Sequence, residues 1–139
     1  MGSAAIEIMF RRIREIPQDE CPANPIPCLF GNAQISVASA TELRFGNDGF
    51  RFNAVGGAIE MTLDGGATWQ RLCSEVGSLA FSFHDRTGNQ LSGSPLSATS
   101  RAAVRRVTVD IQLTRSGQTA HLRSAVYLRS FMNEVVGDP

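Results

Sequence analysis

The sequence is 139 residues long and 42% apolar, and its 13 acidic and 13 basic residues balance to a formal net charge of zero. A chain of this length can bury the core of one domain, and its zero net charge gives it no general attraction to nucleic acid or anionic lipid. All 13 basic residues are arginine, which excludes mechanisms that need a lysine, namely a Walker-type phosphate loop, a Schiff base and a Ser-Lys pair.

An amphipathic helix is predicted from Ala4 to Ile16, because apolar residues recur at helical spacing and Pro17 ends the pattern. Residues 1–3, Met-Gly-Ser, read as an expression scar, so the helix has no N-cap sequence of its own. We therefore expect the natural chain to extend the helix upstream into an apolar membrane segment. The stripe expected to pack on a sheet consists of Ile6, Met9, Phe10, Ile13 and Ile16.

Ile8 is a large apolar residue that lies outside this stripe. At 100° per residue it points to another side of the helix, among Ala4, Arg12 and Glu15. Single exposed apolar side chains are common in proteins, and the simplest interpretation is that Ile8 is one of them. The alternative is that Ile8 contacts a neighbouring subunit, which makes it the candidate filament contact of this helix.

Three cysteines occur, at positions 21, 28 and 73. Three prolines lie between Cys21 and Cys28, so this segment cannot be helical and is conformationally restricted. We expect a disulfide between Cys21 and Cys28, which would place the protein in an oxidising compartment. Two free thiols are the alternative, and zinc is disfavoured because neither a Cys-x-x-Cys nor a paired-His spacing occurs. Cys73 is predicted to be a buried thiol.

From residue 35 onward the hydrophobic period changes to two, which predicts strands. Turns separate these strands into hairpins, the first at Asn47-Asp48-Gly49, whereas the Ser-rich stretch 92–100 is predicted to be a loop. The clearest hairpin is the last one, which turns at 115–118. The predicted strands span 41–45, 50–55, 59–63, 68–72, 78–84, 107–113 and 122–128.

The predicted fold class follows from these elements. Short connections favour antiparallel neighbours, and no pattern indicates a βαβ crossover. A helix with one apolar stripe and strands with one apolar face each can cover one another, so the helix is expected to pack across an antiparallel sheet. The sequence therefore predicts a two-layer α+β fold. It also predicts a single domain over residues 4–136, followed by a tail at 137–139.

Four segments carry a resemblance to a known family. They are the helical stub IEIMFRRIREI, the strand pairs ELRFGNDGFRFNAVGGAIEMTLDGGATWQRL, the segment SEVGSLAFSFHDRTGN and the terminal hairpin VRRVTVDIQLTRSGQTAHLRSAVYLRS. In this order, and over nearly the whole chain, they resemble the soluble heads of type IV pilin-like proteins. Within that family the resemblance is to minor pilins and type II secretion pseudopilins, whose helix continues upstream into a hydrophobic half that is embedded in the membrane and forms the filament core.

The resemblance implies a non-catalytic structural subunit of a type IV pilus or a type II secretion filament, with no cofactor and no small-molecule substrate. Its partners would be other pilin or pseudopilin subunits, and the inner membrane through the upstream helix; no nucleic acid is expected. The head would lie in the periplasm or at the surface of a bacterial cell. Loops 21–28 and 92–100 and the edge strands would then contact neighbours or secreted substrate.

The sequence offers few residues for catalysis. It contains no G-x-S-x-G motif, no H-E-x-x-H motif and no Gly-rich phosphate loop. Asp85 follows His84, but consecutive strand residues point to opposite faces, so Asp85 is not expected to orient the His84 ring. A hydrolase that uses His84 is therefore disfavoured. The only other histidine, His121, is expected on a solvated sheet face.

Calcium is weighed separately, because some pseudopilin heads hold this ion in a loop. Asp48, Asp64 and Asp85 all lie at predicted turns, where carboxylates could meet a hard cation. No Asp-x-Asp pair occurs, so one loop supplies one carboxylate. Aspartates that bond their own turn are favoured, and no metal site is predicted.

The alternative function is a small periplasmic module that binds carbohydrate or peptide on its outer sheet face. Such a face would use Trp69 and Tyr127, which are the only tryptophan and tyrosine of the chain. The main basic cluster, Arg101, Arg105 and Arg106, is not expected to form one flat phosphate-binding stripe, because its adjacent members alternate across the strand.

Overall fold

The computed structural model describes residues 2–19 and 32–128. The predicted disulfide between Cys21 and Cys28, Met1 of the predicted scar and the predicted tail at 137–139 lie outside the described residues. The two helices are α1 (Gly2–Arg14) and α2 (Ala98–Ala102). The strands are β1 (Gln18–Asp19), β2 (Asn32–Ala33), β3 (Val37–Ala38), β4 (Glu42–Phe45), β5 (Asp48–Asn53), β6 (Ala58–Thr62), β7 (Gln70–Cys73), β8 (Val76–His84), β9 (Arg106–Arg115) and β10 (Gln118–Tyr127).

Two antiparallel sheets dominate the fold, so the predicted α+β fold is wrong. One sheet has five strands in the order β3-β4-β5-β6-β7, and the other has three in the order β10-β9-β8. A separate two-stranded pair joins β1 and β2. Strands contain 47% of the described residues and helices 15%, which makes the fold mostly β rather than a helix laid across a single sheet.

The chain passes from one sheet to the other through two residues. β7 ends at Cys73 and β8 begins at Val76, with Glu75 between them at a φ of +60°. The alternating pattern predicts strands on both sides of this link, but it does not say that they belong to different sheets. The 13 residues of α1 span only about 20 Å, so one helix cannot cover all the apolar sheet face that the strands present. The second sheet covers the remainder.

A single hydrophobic core joins both sheets and the helix. On α1, Ile6, Met9 and Ile13 are buried, as is Ile16 just beyond the helix, whereas Phe10 is partly buried and packs against the core. The helix contacts β7 and β10, which are edge strands of the two sheets. None of the helices among the described residues is long and apolar enough to cross a bilayer.

The first hairpin turn begins one residue earlier than predicted. Its two-residue turn is Gly46-Asn47, and Asp48 and Gly49 already belong to β5. Gly46 has a φ of +60°, which the first central residue of a type II′ hairpin requires. At position 49 a glycine is required because there is no room for a side chain, rather than because of its φ. An added Cβ would lie 3.0 Å from Cγ of Arg44 and 3.2 Å from the Leu43 carbonyl oxygen.

The predicted loop at 92–100 is partly helical. Ser97 caps α2, because its side-chain oxygen accepts a hydrogen bond from the Ser100 amide at 3.3 Å. The last predicted hairpin has its turn at Ser116-Gly117, and both residues have positive φ, as a type I′ turn requires. Its two strands pair over ten consecutive residues.

Candidate interaction groove beside helix α1

A groove of about 720 Å³ opens between α1 and the β4–β5 turn. Residues of the helix and of the segment just after it form one wall, and the end of β4, the turn and one residue of β6 form the other. The lining residues are Ile8, Arg11, Arg12, Glu15, Pro17, Phe45, Gly46, Asn47, Asp48 and Met61.

Helical geometry places Ile8 in this groove. The residues at positions 6, 9 and 13 turn into the core, so Ile8, which is 100° or more away from them around the axis, faces outward. It is half-buried rather than fully exposed. Phe45 and Met61 lie across from the helix, and together with Ile8 they give the groove an apolar centre.

Charged side chains form the rim of the groove. Nη1 of Arg12 donates a hydrogen bond to Oδ2 of Asp48 at 2.9 Å, which links the helix to the β4–β5 turn. Both side chains are partly exposed, so this pair contributes no more than about 1 kcal/mol. An apolar centre with a polar rim is the typical composition of a protein–protein contact surface.

Sequence reasoning identified Ile8 but none of the residues across the groove. Phe45, Asp48 and Met61 lie on strands, 37 to 53 positions away from Ile8. Their alternation predicts a strand, but no sequence signal shows that this hairpin end lies against the helix. The groove is a product of tertiary packing.

Two of the three predicted turn aspartates, Asp64 and Asp85, bond their own turns, whereas Asp48 lies on β5 and pairs with Arg12 instead. Oδ1 of Asp85 accepts hydrogen bonds from the amide and the hydroxyl of Thr87, at 3.0 and 2.8 Å, and from the Asn89 amide at 3.0 Å. These bonds, the Thr87 side chain first, lower the pKa of Asp85. Within residues 2–19 and 32–128, no three His, Cys, Asp or Glu side chains are grouped closely enough to hold a metal ion.

Asp64 organises the loop between β6 and β7 in the same way. It accepts hydrogen bonds from the Thr68 hydroxyl at 2.5 Å, from the Thr68 amide at 2.9 Å and from the Thr62 hydroxyl at 2.8 Å. The Thr68 hydroxyl is the largest cause of a pKa of about 2 for Asp64, below the ordinary 3.8. These hydrogen bonds are stronger to the ionised carboxylate than to the protonated acid, which is why they lower its pKa.

We expect this loop to lose its order as the pH falls from about 4 to about 2, because a lowered carboxyl pKa supports the fold only while the group is ionised. NMR titration of the side-chain carboxyl should give a midpoint near pH 2. Thr68→Val should raise that midpoint toward 3.8, whereas the matched change Thr87→Val, at the Asp85 turn, should leave it unchanged. A wild-type midpoint near 4 would contradict this assignment.

The two histidines occupy different places on the outer face of the three-stranded sheet. His84 pairs across the ladder with Arg106, and its Nδ1 is buried without a hydrogen-bond partner among the described residues. Burial, and then the charge of Arg106, lower the pKa of His84. His121 pairs with Gln112 and contacts the Asp110 carboxylate. No hydrogen bond joins Asp85 to the His84 ring in this part of the chain.

The two amphipathic rings lie on different sheets. Trp69 contacts two guanidinium groups of the five-stranded sheet, with Cζ of Arg51 at 4.0 Å and Cζ of Arg44 at 5.2 Å from its ring centroid. Tyr127 belongs to β10 and contacts Arg106 of β9. The fold therefore does not bring the two rings together on one sheet face.

The basic cluster at 101–106 is divided between structural and surface roles. Arg101 donates hydrogen bonds to the carbonyls of Ile35 and Leu96, at 3.1 and 2.9 Å, and so ties α2 to neighbouring segments. Arg105 bonds the carbonyls of Ala102 and Val104 at 2.9 Å each. Only Arg106 lies on the outer sheet face, which agrees with the predicted absence of a single stripe.

Cys73 is a free, buried thiol at the end of β7, as predicted. Its Sγ donates to the Ser74 carbonyl at 3.5 Å. Burial is the main cause that raises the pKa of this thiol, so it is protonated and unreactive at neutral pH.

Comparison with known proteins gives this site no precedent. No protein-family model matches the chain, and no curated protein and no solved structure is significantly similar to it. The groove beside α1, with Ile8 in its wall, is therefore the candidate site on the strength of its own geometry.

Proposed function

We propose that this chain is a non-catalytic structural subunit, the head of a minor pilin or pseudopilin in a type IV pilus or type II secretion filament. In this proposal an upstream hydrophobic helix anchors the protein in the inner membrane and later lies in the filament. The head lies in the periplasm or at the cell surface, where it contacts neighbouring subunits. The groove beside α1 is the observation that carries the proposal.

The argument rests on the two faces of α1. A helix that serves only its own domain needs one apolar stripe, and Ile6, Met9 and Ile13 provide it. Ile8 adds a second apolar side chain on another face, beside the apolar side chains of Phe45 and Met61. Phe45 is already buried, and an apolar side chain from a neighbouring subunit that enters this groove would remove the exposed parts of Ile8 and Met61 from water.

The remaining chemistry of the head is consistent with a structural role. The carboxylates that a loop-bound metal would need are engaged in their own turns or, for Asp48, in the pair with Arg12. On the outer face of the five-stranded sheet, Glu42, Arg51, Glu60 and Arg71 face one another in a cross-strand row of alternating charge. Such a row balances its own charges within one subunit.

The proposal predicts that Ile8→Glu in the full-length protein lowers incorporation into filaments by about tenfold or more, because a charge would have to be buried at the contact. Incorporation is measured as the fraction of the protein in sheared, pelleted filaments. The melting temperature of the isolated head should stay unchanged, since Ile8 is outside the core.

Val55→Glu is the matched control. Val55 is a fully exposed apolar residue in the β5–β6 turn, away from the groove, and the same change there should leave incorporation intact. Equal losses for both variants would show a general effect of added charge and would reject the groove as the contact. A natural reading frame with a short cleavable signal peptide upstream, in place of a long apolar run, would reject the filament proposal itself.

A further inference from the structure

Strand β10 leaves an open edge on the three-stranded sheet. It pairs with β9 over all ten residues without a bulge, and no strand pairs with its other side among the described residues. Residues 118–123 are exposed, and β10 contains no proline or glycine. Natural edge strands are commonly blunted by shortness, bulges, prolines, charged side chains or a covering helix; β10 is long and has no bulge or proline, but it carries Arg123, and α1 contacts part of it.

The pairing with β9 identifies the backbone groups at this edge. The Leu128 amide donates to the Arg105 carbonyl at 3.1 Å, immediately beyond the opposed pair Tyr127 and Arg106. In an antiparallel ladder this bond makes Tyr127 a non-hydrogen-bonded position toward β9, and such positions recur at every second residue. The amides and carbonyls at 119, 121, 123, 125 and 127 therefore point away from β9, toward the open edge.

The side chains beside this edge are predominantly basic. Arg123 and His121 lie on the outer face of β10, opposite Asp110 and Gln112 of β9. Further along the same face, Arg106 of β9 lies between Tyr127 of β10 and His84 of β8. Asp110 is the one carboxylate among the described residues of this face; it contacts His121 and lies 3.8 Å from Nη1 of Arg123. The Arg106 Nε is buried and has no hydrogen-bond partner within the part of the chain that the structure describes. The face thus carries more positive than negative charge.

We propose that the open edge of β10 binds an extended acidic segment of a partner protein, which adds a fourth strand to the sheet. Its backbone pairs with the amides and carbonyls at the odd-numbered positions of β10, and its carboxylates, spaced two residues apart, lie beside His121 and Arg123. Strand addition of this kind takes its affinity from backbone hydrogen bonds and its specificity from alternate side chains.

Two other occupants fit less well. A second copy of β10 carries no carboxylate. Antiparallel pairing of two β10 strands about their centres would place histidine and arginine side chains opposite one another. A nucleic acid would leave the outward-pointing amides and carbonyls of β10 without a strand to pair with, and it would find one aromatic ring on this described face, Tyr127, on which to stack. An acidic peptide can both pair with the open backbone groups of β10 and place carboxylates beside its basic side chains.

The test uses the peptide acetyl-(Glu-Val)₄-amide with the ¹⁵N-labelled head. We expect amide shifts that are larger at 119, 121, 123, 125 and 127 than at the even-numbered positions of β10. Acetyl-(Lys-Val)₄-amide should not bind, and N-methylation of alternate residues of the acidic peptide should abolish binding. Arg123→Glu should weaken binding by about tenfold or more, whereas Arg71→Glu, on the outer face of the five-stranded sheet, should bind as the wild type does.

Several results would overturn the proposal. They are equal binding of the lysine peptide, shifts that lie away from β10, tighter binding of a single-stranded oligonucleotide, and self-association in sedimentation experiments that Arg123→Glu abolishes. Because this test uses the isolated head, its outcome does not depend on filament assembly. The Arg123 side chain is largely exposed, so Arg123→Glu should fold, and an unchanged melting temperature checks this.

Discussion

Ile13→Ala should lower the free energy of unfolding by about 2–5 kcal/mol, the range found for large-to-small changes at fully buried positions. Ile13 lies in the core that joins α1 to both sheets, and the shortened side chain would leave a cavity that the packed sheets cannot fill. Domains of this size have a total stability of about 5–15 kcal/mol, so the loss would be a large part of the total. Urea denaturation followed by circular dichroism measures it.

Ile8→Ala is the internal comparison, with the same chemical change on the same helix. Ile8 lies outside the core, so the expected loss is below about 1 kcal/mol. Comparison of the two variants distinguishes the two faces of α1, because Ile13 stabilises the isolated head whereas Ile8 is available to a neighbouring subunit. If both variants lost the same stability, the helix would have no free face and the groove would have no role in assembly.

Phe50→Ala should have an effect of similar or larger size, about 3–5 kcal/mol. Phe50 is fully buried on the central strand of the five-stranded sheet, opposite Leu43 on one side and Met61 on the other. Its ring also contacts Phe45, with 6.2 Å between the ring centroids. Truncation therefore removes contacts to both neighbouring strands and to the residue that lines the groove.

Phe52→Ala provides the control for Phe50. Phe52 lies on the same face of the same strand, but it is only partly buried. Its truncation should cost less than that of Phe50, in proportion to the smaller apolar area removed from the core. The same denaturation experiment measures both variants. A larger loss at Phe52 would mean that the centre of the core lies toward the other end of β5.

The local elements of this fold could be predicted from the sequence, but their arrangement could not. The helix ends at Arg14, two residues before the predicted end, and the stripe residue Met9 is buried. Alternation likewise located most of the strands, because a residue's face depends only on its parity. The chain passes from one sheet to the other at Ser74 and Glu75, and neither residue type is a sequence signal for a change of sheet.

Of the residues that line the candidate groove, only Ile8 was predicted from the sequence to be a contact residue. Ile8 could be singled out because a helical wheel depends on local spacing, whereas Phe45 and Met61 join it through tertiary packing. The edge of β10 was also outside sequence reasoning. Whether a strand has one neighbour or two is a property of the topology, and alternating apolar and polar residues look the same in both cases.

The contact between α1 and β10 has a consequence for folding. Each large sheet joins strands that follow one another along the chain, so the loops that must close within a sheet are short, apart from the β8–β9 connection over residues 85–105, and their entropic cost is small. The helix at the start of the described chain, however, contacts the strand at its end. During synthesis the helix can pack on β7 once the five-stranded sheet has emerged, but its contact with β10 needs almost the whole described chain. This long-range docking, rather than hairpin formation, should limit the rate of folding.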